Sequence, residues 1–339
     1  MRIAFNLQGT NLANNGGSAT IIASANTLSS MGEEVFLIMN EPSQFSWFPL
    51  LGPKEIITSG KDYPDADIHI ATGAKSVIPV LDAPIESGKK FWWIRAHEKW
   101  VMPEENLYQL YRNIDISLLV NSIHLQKFLK GYIERDSVIM YPGQDLDKFY
   151  PTIKRTWEKK EWVLGGLYNT KQRKRFQWIQ EIYTQLRNRK IPVKLKLFGT
   201  EKLDKKDHCD EYLYQPTKDE LREFYNGIDF WIAPTLSEGL HIPPQEAALC
   251  GSIVIGALGE LTGMDDYLIH NVTGMKFLYY TDAINLILGL IKDKEKMKLL
   301  SVNGRNKIIS LGNRVDNMQR MINYFKLERN GMVRKVSGL

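Results

Sequence analysis

Residues 237–251 read SEGLHIPPQEAALCG, and this stretch decides how the rest of the chain is interpreted. Proline is favoured in the first turn of a helix, where its missing N–H costs nothing, so Pro243 and Pro244 predict a helix start. Gly251 suits the end of that helix. A turn that runs into a helix presents free backbone N–H groups and a positive dipole end, which together seat a diphosphate. The stretch therefore predicts an anion site at a helix N-terminus.

Two acidic residues flank this turn. Glu238 lies before it, and Glu246 lies about one turn into the predicted helix. Glu246 is placed to accept hydrogen bonds from a ribose or sugar hydroxyl, and Glu238 lies at the other edge of the same pocket. The alternative is an ordinary strand-to-helix turn with two solvated acids.

The stretch resembles the signature of glycosyltransferase family 4, a group of retaining enzymes with the GT-B fold, usually written E-G-F-G-L-P-x-x-E-A-M-A-C-G. The matching residues are Glu238, Gly239, Pro243, Glu246, Ala247, Cys250 and Gly251. His241 occupies the second glycine position, where a side chain would crowd the phosphates or donate a hydrogen bond to them. The resemblance implies that the donor nucleotide is bound by Glu246 and by the turn formed by Gly239, Leu240, His241 and Ile242.

Length and charge favour a soluble protein of two domains. A chain of 339 residues is long for one core and fits two domains of about 150–170 residues. Residues 1–150 contain 13 Lys plus Arg and 17 Asp plus Glu, whereas the remainder contains 31 and 22. The basic part thus carries the predicted phosphate site, which favours an anionic ligand over a general nucleic-acid surface.

Cysteine usage and hydropathy bear on the compartment. The sequence has two cysteines, Cys209 and Cys250, which indicates a reducing cytoplasm rather than a disulfide framework. The first residues turn polar too early for a signal peptide, and no apolar run approaches the roughly 18 residues of a membrane span. We therefore expect a cytoplasmic protein, with peripheral contact at the inner face of the membrane as an extension of that expectation.

The order of predicted elements indicates an α/β protein. A strand at 2–7, a glycine-containing loop, a helix at 18–31 and a strand at 34–40 form a βαβ unit and predict a parallel sheet. Further strands are predicted at 68–71, 91–94, 116–120, 137–140, 162–165, 193–198, 230–233 and 253–255, and further helices at 176–188, 218–226, 282–291 and 294–310. The resemblance implies a GT-B architecture, in which two Rossmann-like doubly wound domains face each other across a cleft.

The predicted domains are residues 1–150 and 151–313, with a charge-rich linker at 142–160. The resemblance assigns the acceptor to the first domain and the nucleotide-sugar donor to the second. Met318, Met321, Ile322 and Phe325 share one helix face at spacing i, i+3, i+4, i+7, which predicts a buried face. The resemblance also implies that a terminal helix at 314–330 packs back on the first domain.

Further similarities concern the groups expected around the diphosphate. Residues 14–18, NNGGS, open the first helix where the family has its glycine loop, which implicates Gly16 and Gly17. Residues 164–167, LGGL, stand where the family has V-G-R-L, with Gly166 in place of the arginine. Recognition of the base is expected near Gly199 and residues 212–216.

A cluster of cations follows at Lys171, Arg173, Lys174 and Arg175. We assign Arg173 and Lys174 as phosphate ligands, since arginine offers a fork and lysine a point charge. The spacing admits Lys171 as well. The alternative is a solvated basic helix start, but cations near a helix N-terminus oppose its dipole, which favours a functional reason.

Two features of the first domain point to the sugar and the acceptor. Family members often carry a histidine after the strand at 91–94, so the resemblance implies a catalytic or orienting role for His97, with a structural histidine as the alternative. Residues 45–51, FSWFPLL, are the expected surface patch for a glycan or lipid-linked acceptor. Trp92 and Trp93 are expected in the core.

Three acidic groups have the composition of metal sites but are interpreted as structural. D-x-D pairs occur at 65–67 and 145–147, and residues 207–210 offer Asp, His and Cys in a lysine-rich loop. The first precedes a strand, the second lies in the linker, and the third lacks paired ligand spacing. No metal requirement is expected.

The features together predict a glycosyltransferase that moves a sugar from UDP- or GDP-sugar to a hydroxyl of a glycan or lipid-linked acceptor, with retention implied by the resemblance. Glu238 would hold the sugar and Glu246 the ribose, while the cations and N–H groups stabilise the leaving diphosphate. Three alternatives stay open: a transferase acting on modified nucleic-acid bases, a GT-B nucleotide-sugar epimerase and a non-catalytic nucleotide-sugar-binding protein. The Glu238/Glu246 pair counts against the epimerase, the acidic first domain against nucleic acid, and Gly166 and His241 favour the non-catalytic protein.

Overall fold

The computed structural model describes residues 1–10, 12–42, 48–58, 63–84, 88–259 and 261–332. The chain divides into two compact units. The first unit consists of Met1–Gly143 and Arg314–Leu339, and the second consists of Gln144–Asn313. Each unit has its own parallel sheet and its own hydrophobic core.

The first unit contains a seven-stranded parallel sheet in the order β3-β2-β1-β4-β5-β6-β7. Its strands are β1 (Arg2–Asn6), β2 (Glu34–Met39), β3 (Lys54–Ile57), β4 (Ile68–Ala71), β5 (Lys89–Ile94), β6 (Ser117–Val120) and β7 (Val138–Ile139). The central strands β1, β4 and β5 consist mainly of buried apolar residues because both faces of a parallel sheet are covered. The winding reverses between β1 and β4, so the carboxyl ends of these two strands mark the switch point of this sheet.

Four helices of the first unit connect these strands. They are α1 (Gly16–Ser30), α2 (Val77–Asp82), α3 (Glu104–Asn113) and α4 (Ile123–Phe128). The helix α1 begins at Gly16 because the side chain of Asn15 caps it, accepting a hydrogen bond of 3.0 Å from the Ser18 N–H. Its residues Ile21, Ala25 and Leu28 pack on the sheet.

The second unit contains a six-stranded parallel sheet in the order β10-β9-β8-β11-β13-β15 and a separate two-stranded sheet, β12-β14. The strands are β8 (Trp162–Leu167), β9 (Val193–Gly199), β10 (Glu211–Tyr214), β11 (Phe230–Ala233), β12 (Ser237–Glu238), β13 (Ile253–Ala257), β14 (Leu261–Thr262) and β15 (Met275–Phe277). The helices are α5 (Phe176–Asn188), α6 (Lys218–Asn226), α7 (Ile242–Leu249), α8 (Tyr280–Leu290) and α9 (Lys294–Ser310). Here the winding reverses between β8 and β11.

The linker expected at 142–160 belongs largely to the second unit. Phe149 is buried in the cluster beneath α6 and α7. Arg155 donates hydrogen bonds to the carbonyls of Tyr225 and Cys250, both at 3.0 Å. Burial lowers the pKa of this guanidinium, and Asp229, 3.8 Å away, opposes that shift. This part of the linker is therefore anchored in the core of the second unit.

The last helix, α10 (Arg314–Arg329), packs on the sheet of the first unit. The residues predicted to share a buried face do so: Met318, Met321, Ile322 and Phe325 are all at most 2% exposed. The ring of Phe325 lies 4.9 Å from that of Phe91 on β5. The i, i+3, i+4, i+7 pattern thus identified this face correctly.

We expect Phe325→Ala to destabilise the first unit by about 3–5 kcal/mol, because it empties a fully buried site against Phe91. Amide hydrogen exchange should become faster in β1, β4 and β5 and stay unchanged in the second unit. Leu327→Ala is the matched control, since Leu327 lies on the same helix and is 46% exposed. Unchanged exchange in β5 of the Phe325 variant would contradict the packing of α10 on this sheet.

Candidate functional site

The candidate site lies at the switch point of the second sheet. The strands β8 and β11 are neighbours and end at Leu167 and Ala233. Ligands of doubly wound proteins bind at the carboxyl edge of the sheet where the winding reverses. The segments 168–175 and 234–241 leave the sheet at this point, and they contain most of the residues predicted to hold the donor.

Main-chain contacts hold these two segments together. The Leu236 N–H donates to the carbonyl of Arg173 at 2.9 Å, and Nη1 of Arg173 donates to the carbonyl of Ser237 at 3.2 Å. The first segment is further anchored by Glu201, whose carboxylate accepts hydrogen bonds from Asn169 and Thr170. The backbone segments that carry Arg173, Lys174 and Glu238 are therefore fixed relative to each other.

Arg173, Lys174 and Glu238 form an ion triad. Oε1 of Glu238 lies 3.0 Å from Nη1 of Arg173 and also accepts a hydrogen bond from Nζ of Lys174. The side chains of Glu238 and Lys174 are 15% and 14% exposed. Since the cations follow β8 and the acid lies on β12 after β11, the triad connects both sides of the switch point.

Burial and charge act in opposite directions on the triad. Burial by itself would raise the pKa of Glu238, but Lys174 and Arg173 outweigh it and hold this pKa below its usual value. Burial lowers the pKa of Lys174, and Glu238 opposes that shift. The contacts pair two basic side chains with one carboxylate, which leaves one excess positive charge in the ion-paired triad.

The turn after Glu238 is held by the segment that follows β14. The Gly263 N–H donates to the carbonyl of Gly239 at 2.6 Å, and a Cβ at Gly263 would lie 2.1 Å from that oxygen. The hydroxyl of Tyr267 donates to the carbonyl of His241 at 3.0 Å. Only glycine permits this approach, so position 263 fixes the turn through backbone contact.

The predicted helix start is confirmed: α7 begins at Ile242, with Pro243 and Pro244 in its first turn. The carbonyl of Leu240 accepts a hydrogen bond from Gln245 at 3.0 Å. Pro243 and Pro244 carry no N–H, so in the first turn of α7 only Ile242 has a backbone N–H, and this group has no intrahelical partner. The helix start and the triad therefore lie on the same segment, separated by the turn.

His241 is the N-cap residue of α7, and both its backbone conformation and the burial of its side chain are unusual. Its backbone is left-handed, with φ of 54°, and its side chain is buried, with 7% of the residue exposed. Burial lowers the pKa of the imidazole to about 3; the neighbouring Glu238 opposes this shift, and Lys174 and Arg173 add to it. The ring is neutral at neutral pH, so the two cations account for the charge that faces Glu238.

Glu246 lies farther along α7, and its carboxylate is oriented by α6. Oε2 accepts a hydrogen bond of 2.9 Å from the hydroxyl of Tyr225, which is fully buried. Burial, together with the negative charge of Glu246, raises the pKa of Tyr225 well above its usual range, so the hydroxyl stays a donor. The carboxylate of Glu246 is half-buried.

The other residues predicted in the second unit take different positions. Lys171 is exposed, and its N–H donates to Asn169 at 3.1 Å. Gly199 ends β9, where a Cβ would lie 2.7 Å from both the Tyr168 carbonyl and the Tyr212 hydroxyl. Gly166, which replaces the arginine of the family pattern, is buried in β8, and a Cβ there would lie 2.6 Å from Cδ1 of Ile179.

The predicted glycine loop lies at the carboxyl end of β1 in the first unit. Gly16 and Gly17 form the exposed start of α1, and the space around Gly16 is open. The guanidinium of Arg95 donates to the carbonyl of Gly17 and, at 2.8 Å, to that of Thr72. Arg95 therefore connects the ends of β4 and β5 to the start of α1, a role that sequence reasoning did not assign to it.

His97 follows β5 as predicted and is buried, with 3% exposure. Its Nε2 lies 2.8 Å from Glu104, and its Nδ1 lies 3.4 Å from the hydroxyl of Tyr111. The ring also stacks on Tyr108. Both nitrogens thus have partners within the first unit, and a contact with a sugar would require one of these to be exchanged.

The predicted aromatic patch at 45–51 lies partly outside the described residues, which exclude 43–47. Asn26 of α1 holds the described part through hydrogen bonds of 2.8 Å to Pro49 and Leu51, and Leu51 is 63% exposed. Trp92 and Trp93 are buried, as predicted. Among the helices of the described ranges, none combines the length and the apolar character needed to cross a membrane.

The acidic pairs that resemble metal sites are engaged within the protein. Their partners include Arg329 for Asp67, Lys218 for Asp145 and Tyr183 for Asp210. In the part of the chain that the structure describes, His, Cys, Asp and Glu form no group of three or more that could hold a metal ion.

We expect Lys174→Met to lower the free energy of unfolding by about 2 kcal/mol, because Glu238 would lose one charged hydrogen bond and keep Arg173 as its only cation in the triad. Adding Glu238→Gln should restore part of this loss, since the double variant no longer buries that carboxylate. Urea denaturation of the two single variants and the double variant measures the coupling. Losses that simply add would show that the two side chains do not form a pair.

We also expect acid to destabilise the wild type more than His241→Asn. Because the folded pKa of His241 is about 3 and an unfolded histidine titrates near 6.5, this contribution is complete above pH 6.5 and is lost as the pH falls. Between pH 7 and 4.5 the difference should reach about 2 kcal/mol by urea denaturation. Arg173, Lys174 and Glu238 face the ring in both proteins, so equal losses would contradict a buried neutral imidazole.

Comparisons with known proteins bear on the second unit and on the fold. The family model described as "Glycosyl transferases group 1" matches residues 159–293, which lie within the second unit. No curated protein sequence matches the chain.

Solved structures match almost the whole chain at low sequence identity. Sucrose-phosphate synthase from Thermosynechococcus elongatus gives a TM-score of 0.77 at 14% identity, over 98% of this chain and 100% of that one. HepE from Anabaena, in complex with UDP-glucose, gives 0.77 at 14% identity, over 96% and 99%. WaaG, a glycosyltransferase involved in lipopolysaccharide biosynthesis, gives 0.68 at 13% identity, over 95% and 99%. The chain therefore has the GT-B fold of glycosyltransferases, and its residues 159–293 carry the sequence pattern of the group 1 glycosyl transferases.

Proposed function

We propose that this protein is a retaining glycosyltransferase, which transfers a sugar from a nucleoside-diphosphate sugar to a hydroxyl of a glycan or lipid-linked acceptor. The observation that carries the proposal is the ion triad of Arg173, Lys174 and Glu238, which lies beside the start of α7 at the switch point of the second sheet. A diphosphate needs positive charge and N–H donors together, and this site offers both.

The donor diphosphate binds at the triad and the start of α7. As the bond between sugar and phosphate breaks, negative charge grows on the leaving diphosphate, and fixed cations stabilise it without reorganisation. Arg173 and Lys174 supply that charge from positions held by Glu238 and by main-chain hydrogen bonds. Since protein cations supply this charge, we propose that transfer requires no metal.

Glu246 binds the ribose. Its Oε2 is held by the hydroxyl of Tyr225, and an ionised carboxylate has about four acceptor positions, so it accepts ribose hydroxyls as well. Glu238 lies nearer the start of the turn and binds sugar hydroxyls while it orients the cations. This assignment places the nucleoside toward α6 and the sugar toward the triad.

The acceptor belongs to the first unit, which carries the glycine loop at Gly16 and Gly17 and the histidine His97. In a retaining transfer the acceptor hydroxyl attacks the sugar from the same face from which the leaving group departs. The leaving phosphate takes the proton of that hydroxyl. HepE is known in complex with UDP-glucose and WaaG acts in lipopolysaccharide biosynthesis, which supports a UDP-sugar donor and a glycan or lipid-linked acceptor.

The first test is thermal stabilisation by UDP, GDP, ADP, CDP and dTDP. A ligand at a hundred times its Kd adds about 2.7 kcal/mol, which corresponds to a few degrees of Tm. One diphosphate should stabilise the wild type, and Glu246→Gln should weaken its binding about tenfold or more, a difference of about 1.4 kcal/mol. Tyr225→Phe is the matched control, because it removes the hydroxyl that orients Glu246 but keeps the carboxylate.

The second test uses the selected donor with a radioactively labelled sugar and measures where the label goes. Transfer to an added glycan or lipid-linked acceptor, with the anomeric configuration of the donor kept in the product by NMR, is the expected result. A nuclease-sensitive product, epimerisation without an acceptor, or binding without turnover would each support one of the three alternatives instead. Loss of transfer in EDTA that Mg²⁺ restores would contradict the metal-free mechanism.

A further inference from the structure

His241 combines two unfavourable features at one position. Its left-handed backbone, with φ of 54°, costs a residue other than glycine about 1 kcal/mol. Its Nδ1 is buried and has no hydrogen-bond partner among the described residues, which costs about 1–3 kcal/mol in a folded protein. Glycine, which the family pattern has here, would avoid both costs.

The surroundings of the ring contain many hydrogen-bond donors. The backbone N–H of the next residue, Ile242, the ammonium of Lys174 and the guanidinium of Arg173 lie near it. Within the described part of the chain, none of these groups donates to Nδ1, and the side chain does not cap the helix. An acceptor nitrogen would find a partner in such a place, so this pattern indicates that Nδ1 carries the proton and is itself a donor.

A neutral imidazole has one donor and one acceptor nitrogen, and burial together with the two cations keeps this ring neutral. The ring therefore adds a hydrogen bond to the site without adding charge. All the groups that converge at this end of α7 are then donors, apart from the carboxylate of Glu238. The missing partner is an acceptor, and an oxygen of a bound phosphate is the acceptor that fits.

We propose that His241 is a specificity-determining residue of the donor site, whose Nδ1–H donates to an oxygen of the diphosphate, so that it selects a nucleoside diphosphate over the monophosphate. This inference rests on the proposed function, since it needs a donor diphosphate at the start of α7. It goes further in that it assigns a role to a side chain at a position where the family pattern has glycine.

The test compares His241→Gly and His241→Asn with the wild type. Both replacements are favourable in a left-handed backbone, so neither is expected to impair folding. Without ligand, the Tm of each variant should equal or exceed that of the wild type. This separates a loss of binding from a loss of structure.

Titration calorimetry is carried out on all three proteins with UDP and UMP, or with GDP and GMP if the panel selects guanine. The expected result is a loss of about tenfold in affinity for the diphosphate in both variants, with affinity for the monophosphate unchanged. Where transfer is measurable, the KM for the donor should rise in the same proportion.

Two results on the variants would overturn the inference alone. Unchanged diphosphate affinity would show that Nδ1 makes no contact with the ligand. Equal losses for diphosphate and monophosphate would show that His241 acts by shaping the turn instead of by contacting the second phosphate. Absence of nucleotide binding by the wild type would overturn the proposed function and this inference together, so the two failures are distinguishable.

Discussion

The candidate site depends on one buried carboxylate. Glu238 is 15% exposed, and a carboxylate in such a place costs several kcal/mol unless cations and hydrogen bonds compensate it. Compensation comes from Arg173 and Lys174, which reach it from the loop after the neighbouring strand of the sheet. The ion triad thus holds the two loops at the switch point in one arrangement. Removing Glu238 would leave two cations without their carboxylate, and removing either cation would leave Glu238 with one cation instead of two, so each member affects both the geometry and the charge of the site.

The close packing beneath the site explains where the cations stand. In β8 the family pattern has an arginine, but here a Cβ at Gly166 would lie 2.6 Å from Cδ1 of Ile179, which is itself buried. A side chain at that position would therefore require Ile179 to shift. The positive charge comes instead from Arg173 and Lys174, which lie in the segment that follows β8. Under the proposed function, the chain therefore supplies the positive charge from the segment after β8 and not from the strand itself, but still at the carboxyl end of β8.

The sequence predicted the fold best where local signals agree with burial. The helices α5 and α6 have the predicted bounds, and α6 has a capping box formed by Thr217 and Glu220. The strands β3, β10 and β15 escaped prediction because they are short edge strands, which lack the continuous apolar pattern of central strands. For the site, the sequence predicted Glu238 from the motif and Arg173 and Lys174 from the cation cluster after β8, but the pairing of these residues depends on tertiary structure. The sequence offered a hydrogen bond from His241 to the phosphates as one of two outcomes, whereas the burial of this ring and the contacts of Arg95 depend on tertiary structure.

The charge balance of the triad has a consequence for turnover under the proposed function. The released diphosphate carries more negative charge than the donor, so a site with two uncompensated cations would hold this product more tightly than the donor and slow its release. Glu238 cancels one of the two charges, and the neutral ring of His241 adds a donor without adding a third cation. The remaining positive charge and the N–H groups of the turn before α7 then act most strongly where charge grows, on the phosphate that leaves the sugar. A neutral histidine thus suits this position better than a lysine or arginine would. It contributes a directional hydrogen bond, and the charge of the site stays low enough for the product to dissociate.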